Sequence, residues 1–157
     1  MRRGPIGLLL NAIYKARRTL IRVRKPLTLG VRCIVARQDE HVLLVRHSYS
    51  PGWHLPGGGV KRAEQTEVAI LRELKEEAGV TALARPRLLA VFSNFALWES
   101  DHVVLYVVHE FSLAPRKDWE IVEAAFFHPD SLPHETTPAT RRRIAAWRAG
   151  AAHDPEW

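Results

Sequence analysis

An α+β fold around a mixed β-sheet is what these 157 residues call for, on three grounds. Segments of period-two, β-branched character recur along the chain, but they alternate with too few helical segments for a βαβ repeat. Only two long helical patterns fall between residue 60 and the end. The chain length suits one domain with a sizeable core. Composition is ordinary for a globular domain, with 46% hydrophobic and 25% charged residues. A single cysteine, Cys33, excludes an internal disulfide framework and a Cys-rich zinc site, and fits a reducing, cytoplasmic compartment. No apolar run reaches the roughly 18–20 residues needed to cross a bilayer.

Charge divides the chain. The net +6 comes from residues 1–25, which hold eight Lys and Arg and no Asp or Glu; the remainder carries 15 basic against 17 acidic residues. A pI near 10 therefore describes the N-terminal segment, not a nucleic-acid-binding body. Ile6–Leu10 after Arg2-Arg3 hints at a targeting peptide, but Asn11 breaks the run and Lys15, Arg17 and Arg18 follow at once, so a cleaved signal is not expected. Leu9, Ile13, Ala16, Leu20 and Val23 recur at helical spacing, opposite Asn11, Lys15, Arg18 and Arg22. The segment reads as a basic amphipathic helix from about Ile6 to Arg24, stopped by Pro26. Its apolar stripe needs a partner: its own domain, a second copy in a homodimer, an anionic membrane surface (with a peripheral location), or a nucleic acid.

Residues 26–149 form the expected domain. Leu27–Ala36 reads as a strand, Gln38–Glu40 as a turn, and His41–Arg46 as the hairpin partner. Ser48–Gly52 is a loop, Trp53–Leu55 a short extended piece, and Gly57, Gly58 and Gly59 permit a tight backbone course. Glu64–Ala78 is helical, with Gly79 as C-cap. Strands are expected near Leu88–Ala96, His102–Phe111 and Val122–His128. A loop between Pro133 and Pro138 precedes a closing helix, Thr140–Arg148. Residues 150–157 read as a frayed tail.

Chemistry concentrates in residues 58–80. Glu73, Glu76 and Glu77 stand at i, i+3 and i+4, on one helical face and roughly opposite Leu71, Leu74 and Ala78. Like charges at that spacing cost a few tenths of a kcal/mol, which a divalent cation would reverse. An all-oxygen donor set suits Mg²⁺ or Mn²⁺ rather than Zn²⁺. A solvated acidic face is the plain alternative, and the flanking residues weigh against it. Gly58, Glu64, Arg72, Glu73, Leu74, Glu76, Glu77, Gly79 and Val80 match G-x5-E-x7-R-E-U-x-E-E-x-G-U without a gap. The pattern resembles the Nudix box, and Gly52–Gly58 resembles its usual entry; the resemblance covers residues 27–149.

That resemblance implies an α/β/α sandwich that hydrolyses a phosphoanhydride bond in a nucleoside diphosphate linked to another moiety. It implies Glu73, Glu76, Glu77 and the Gly58 carbonyl as ligands for Mg²⁺ or Mn²⁺, Arg72 as the group orienting Glu73, and Glu64 as support for the loop. The general base is expected at Glu77 or Glu73, or outside the box at Glu120 or Glu123, with Glu99 and Asp101 weaker candidates.

Arg46, Trp53 and Phe95 are the substrate-binding candidates, the aromatics for stacking on a base and the arginine for phosphate. Trp98, Trp119, Arg32, His47 and Arg62 carry weaker claims, and His54 and His128 are assigned no metal role. Residues past the box do not match the subclass marks of the family: Phe95 and Ala96 stand where ADP-ribose pyrophosphatases tend to have proline, Leu97 and Trp98 where diadenosine polyphosphate hydrolases tend to have tyrosine. A small soluble nucleotide derivative is the expected substrate. Two rivals remain: a nucleotide-sensing module of the same fold without turnover, and an RNA- or membrane-associated protein recruited through residues 1–25. The intact box argues against the first.

Overall fold

The computed structural model describes residues 13, 16, 27–95, 100–115, 120–151 and 156–157. Eight strands and two α-helices follow one another: β1 (Thr28–Val35), β2 (Val42–His47), β3 (Trp53–His54), α1 (Thr66–Ala78), β4 (Val80–Ala82), β5 (Arg87–Ser93), β6 (Asp101–Val108), β7 (Phe111–Leu113), β8 (Ile121–Phe127) and α2 (Pro138–Arg148). A 3₁₀ turn, Pro129–Ser131, precedes α2.

The sheet order is β1-β6-β5, with β1 parallel and β5 antiparallel to β6, beside an antiparallel β3-β2-β8 sheet and a β4-β7 ribbon. The expected mixed sheet is present. Alternation along β1 explains how it separates two cores. Val31, Cys33 and Val35 pack with Ala69, Ile70 and Leu74 of α1, whereas Ile34 and Ala36 pack with Leu44, Trp53, Leu105 and Ile144 of α2. One helix therefore covers each face.

Both helices end where their chemistry dictates. Gly79 takes φ 64° and its N–H closes on the Leu74 and Lys75 carbonyls, the left-handed C-cap that glycine reaches at least cost. The Thr137 side chain accepts from Thr140 N at the start of α2, and Pro138 occupies the first turn, where its missing N–H is no loss. That proline begins the helix rather than closing the preceding loop.

Two sequence expectations are corrected, and a third falls almost wholly outside the described residues. The strand expected to run from His102 to Phe111 ends at Val108, and Phe111–Leu113 turns away to pair with β4, whose three residues are too short to show a period. The chain's end is docked: Trp157 N donates to Ser93 O at 2.8 Å, its ring meets Phe92 edge-on at 5.5 Å, and Arg142 donates to its carbonyl at 2.7 Å. An aromatic terminus covering a β5 side chain recovers burial that a polar tail could not. The N-terminal helix lies outside the described residues except for Ile13 and Ala16, which are helical and exposed. Among the described residues no helix is long and apolar enough to cross a membrane.

Candidate active site

The site is assembled by a glycine strap running beside the free edge of β1. Val31 N donates to Gly58 O, Cys33 N to Pro56 O and Val60 N to Leu29 O, at 2.9, 3.0 and 2.9 Å. Gly57 adopts φ 138°, and a Cβ there would overlap the Val31 carbonyl oxygen, so only glycine fits. Arg32, from β1, donates through Nη1 to the Gly57 carbonyl and, at 3.3 Å, to Leu55 O. Its charge holds the strap and is not displayed for phosphate.

Helix α1 presents its acids to this strap. Glu77 is buried, with Oε2 accepting from Gly57 N at 2.7 Å. Gly58 lies so close to Glu73 that a Cβ on it would stand 2.5 Å from Oε1. Arg72 ties the acids together: Nε and Nη2 meet the two Glu64 oxygens at 2.8 and 2.9 Å, and Nη1 meets Glu73 at 2.6 Å and Glu76 at 3.2 Å. Nη2 also reaches Gly59 O at 3.3 Å. All five guanidinium donors are thereby engaged. Arg72 pulls the Glu64 carboxyl down to about 2, aided by the Lys61 N–H, and Glu64 and Glu73 raise the Arg72 guanidinium further above its ordinary range.

The three glutamates differ in exposure, contrary to a uniformly displayed ridge. Glu76 has 53% of its side chain exposed, Glu73 13% and Glu77 6%. The strap covers one side of the helix face and leaves the other open. Among the described residues no three His, Cys, Asp or Glu side chains already converge into a metal cage. Arg72 occupies Glu73 and Glu76, and the Gly57 amide occupies Glu77. The donor chemistry nevertheless fits a hard divalent cation: three carboxylates, and a glycine carbonyl that retains a lone pair beyond its bond to Val31 N.

The remaining candidates separate. Glu120 is exposed, and its carbonyl accepts from Ser48 N at 2.8 Å, one residue from where His47 faces Ile121. Its backbone thus lies next to the residue that faces Glu77. Arg46 is paired with Glu123 at 2.9 Å, its guanidinium 5.6 Å from the centroid of the Trp53 ring. Trp53 requires correction as a stacking residue: it is 5% exposed and edge-on to Phe127 at 4.8 Å, so packing has taken the faces a base would need. Phe95 is 57% exposed and stands just past β5, about three strand spacings (roughly 14 Å) across the sheet from the strap. Arg62 is exposed. Asp101 is buried and used structurally, accepting from Thr28 at 2.5 Å and Asn94 at 2.7 Å. Trp98, Glu99 and Trp119 lie outside the described residues.

Sequence reasoning missed the tasks of the Gly57 amide, Arg32 and His47. The one sequence signal was the three consecutive glycines after Pro56, which announces close backbone approach without saying to what.

Comparison with known proteins supports the same assignment. A family model described as the NUDIX domain matches residues 26–148. A putative 8-oxo-dGTP diphosphatase of Bacillus subtilis is 28% identical over 79% of this chain and 82% of its own length. Rat diphosphoinositol polyphosphate phosphohydrolase 2 is 38% identical over 56% of this chain, a match that spans only 47% of that relative. The crystal structure of a MutT NUDIX hydrolase from Burkholderia pseudomallei superposes with TM-score 0.61 at 33% identity, over 74% of this chain and 96% of the other.

Proposed function

The chain belongs to the NUDIX family and is a Nudix-type pyrophosphohydrolase; from that premise we propose that it splits a small nucleoside diphosphate derivative with the help of a divalent cation held by α1. The observation that carries this reading is the placing of Glu73 and Glu77 against the Gly57–Gly58 strap, with Glu76 beside them on the open side of the helix face and Arg72 bonded to both Glu73 and Glu76.

Glu73, Glu76, Glu77 and the Gly58 carbonyl are the groups that would hold Mg²⁺ or Mn²⁺. Such an ion supplies neutralising charge to the pyrophosphate and acidifies water at neutral pH. The protein's own residues do the rest. The Gly57 amide stabilises Glu77 in its charged form although the carboxylate is buried. Arg72 aims Glu73 through its 2.6 Å bond, while exposed Glu76 can exchange the long Arg72 contact for a cation. A proton from the attacking water passes to a carboxylate in reach: Glu73 or Glu77 within the cluster, or Glu120 from the neighbouring strand start. Phe95 is the aromatic open enough to receive a base, and Arg46 can offer charge to phosphate only by loosening its bond to Glu123.

A panel holding 8-oxo-dGTP, ADP-ribose, a diadenosine polyphosphate and a diphosphoinositol polyphosphate tests the substrate class, since all share the phosphoanhydride bond. We expect Mg²⁺-dependent release from at least one nucleotide, reduced at least about 100-fold in Glu77→Gln. Turnover of the inositol compound alone would overturn the nucleotide assignment. Equal rates in both proteins would overturn the placement of the site.

A further inference from the structure

His47 ends β2 where the pairing with β8 slips: Arg46 faces Glu123, whereas His47 faces Ile121. Such a bulge re-aims the side chains beside it. The His47 ring is 7% exposed, tucked between Tyr49 and His54 with centroids 5.0 and 5.5 Å away. Its Nδ1 has no hydrogen-bond partner, and its Nε2 lies 3.8 Å from Glu77 Oε1. Glu77 Oε2 is meanwhile held by the Gly57 amide. The buried carboxylate therefore has a backbone donor on one oxygen and an imidazole opposite the other.

We propose that His47 is a positioning residue for Glu77, its Nε2–H restraining Oε1 so that the carboxylate keeps one orientation toward the cation. The inference rests on the reading of Glu77 as a site carboxylate. A neutral imidazole carries one ring proton. With Nδ1 facing no acceptor, that proton belongs on Nε2, the nitrogen that confronts Glu77. The charge balance explains the residue type. Lysine or arginine at this place would cancel the negative charge that attracts a divalent ion, and an aliphatic residue would remove the imidazole that faces Oε1. Arg32 completes the support from the other side by holding the Gly57 carbonyl.

The test compares His47→Gln, His47→Asn and His47→Leu in the full chain, reading Mn²⁺ affinity by titration without substrate, together with kcat and KM. Glutamine can place an amide N–H near Nε2, whereas asparagine places it near Nδ1. We expect His47→Leu and His47→Asn to weaken Mn²⁺ binding about 10- to 100-fold and to lower kcat more than they change KM. His47→Gln should recover most of both. If the leucine variant does not fold, the glutamine–asparagine pair decides the matter alone. Equal behaviour of that pair, or unchanged Mn²⁺ affinity in both, overturns the proposal. Glu77→Gln run alongside separates the two ideas: loss there with no effect at His47 leaves the site reading standing and removes only this one.

Discussion

The two helices flank the same sheet yet spend their charges differently. In α2, charge is dispersed into structure: Arg141 donates to the carbonyls of Leu132, Pro133 and Thr136, Arg143 is buried 4.4 Å over the Phe92 ring, and Arg148 pairs with Asp130 and Glu40 at the rim. In α1, charge is concentrated. Three carboxylates share a face against the local rule that like charges repel at i,i+4, and one is buried. A helix that only covers a core has no reason to accept that cost. The difference is what the proposed site on α1 would require, whereas the charges of α2 serve packing.

Three experiments can break or sharpen that contrast. The largest effect is expected from Ile144→Ala, which empties a fully buried position of α2. Unfolding should become easier by about 2–5 kcal/mol, read from denaturant midpoints. Turnover per folded molecule should stay within about twofold of wild type, and a specific loss of kcat would mean that α2 also shapes the site. Next comes Gly58→Ala, whose Cβ would collide with the Glu73 carboxylate. A drop in kcat of about 10- to 100-fold is expected, with a much smaller change in thermal midpoint, because the displaced group is a positioned site carboxylate. The smallest effect concerns acid. Glu64 titrates near 2 in the folded chain, below its ordinary 4.5, chiefly because Arg72 donates to it. The unfolded chain therefore takes up that proton first, and stability present above about pH 4.5 is lost as pH falls toward 2. Urea midpoints followed from pH 5 to 3 should decline less steeply in Glu64→Gln; parallel slopes would show that the pair contributes nothing.

Much of the fold was legible because it repeats. Period-two runs located β1, β2 and β8, and the 3.6-residue period with Gly79 located α1 to within two residues. The short β4 and β7 carry too few residues to express a period and exist because they pair with each other. Trp53 shows the same limit at a side chain. An aromatic beside a glycine-rich turn is a fair candidate for stacking until the sheet packs Phe127 against its face.

Local sequence determined which atoms are available: three glutamates at helical spacing, an arginine beside them, glycines before them and a basic segment ahead of the domain. Those follow from covalent order and helix geometry alone. Tertiary structure decided their inequality. Burial of Glu77, exposure of Glu76, the strap amide that grips one and the histidine that faces it all depend on the strap, 20 residues before Glu77, and on β2 and β1, 30 to 49 residues before it. Distances between elements, and the desolvation they impose, are set only when the chain closes on itself.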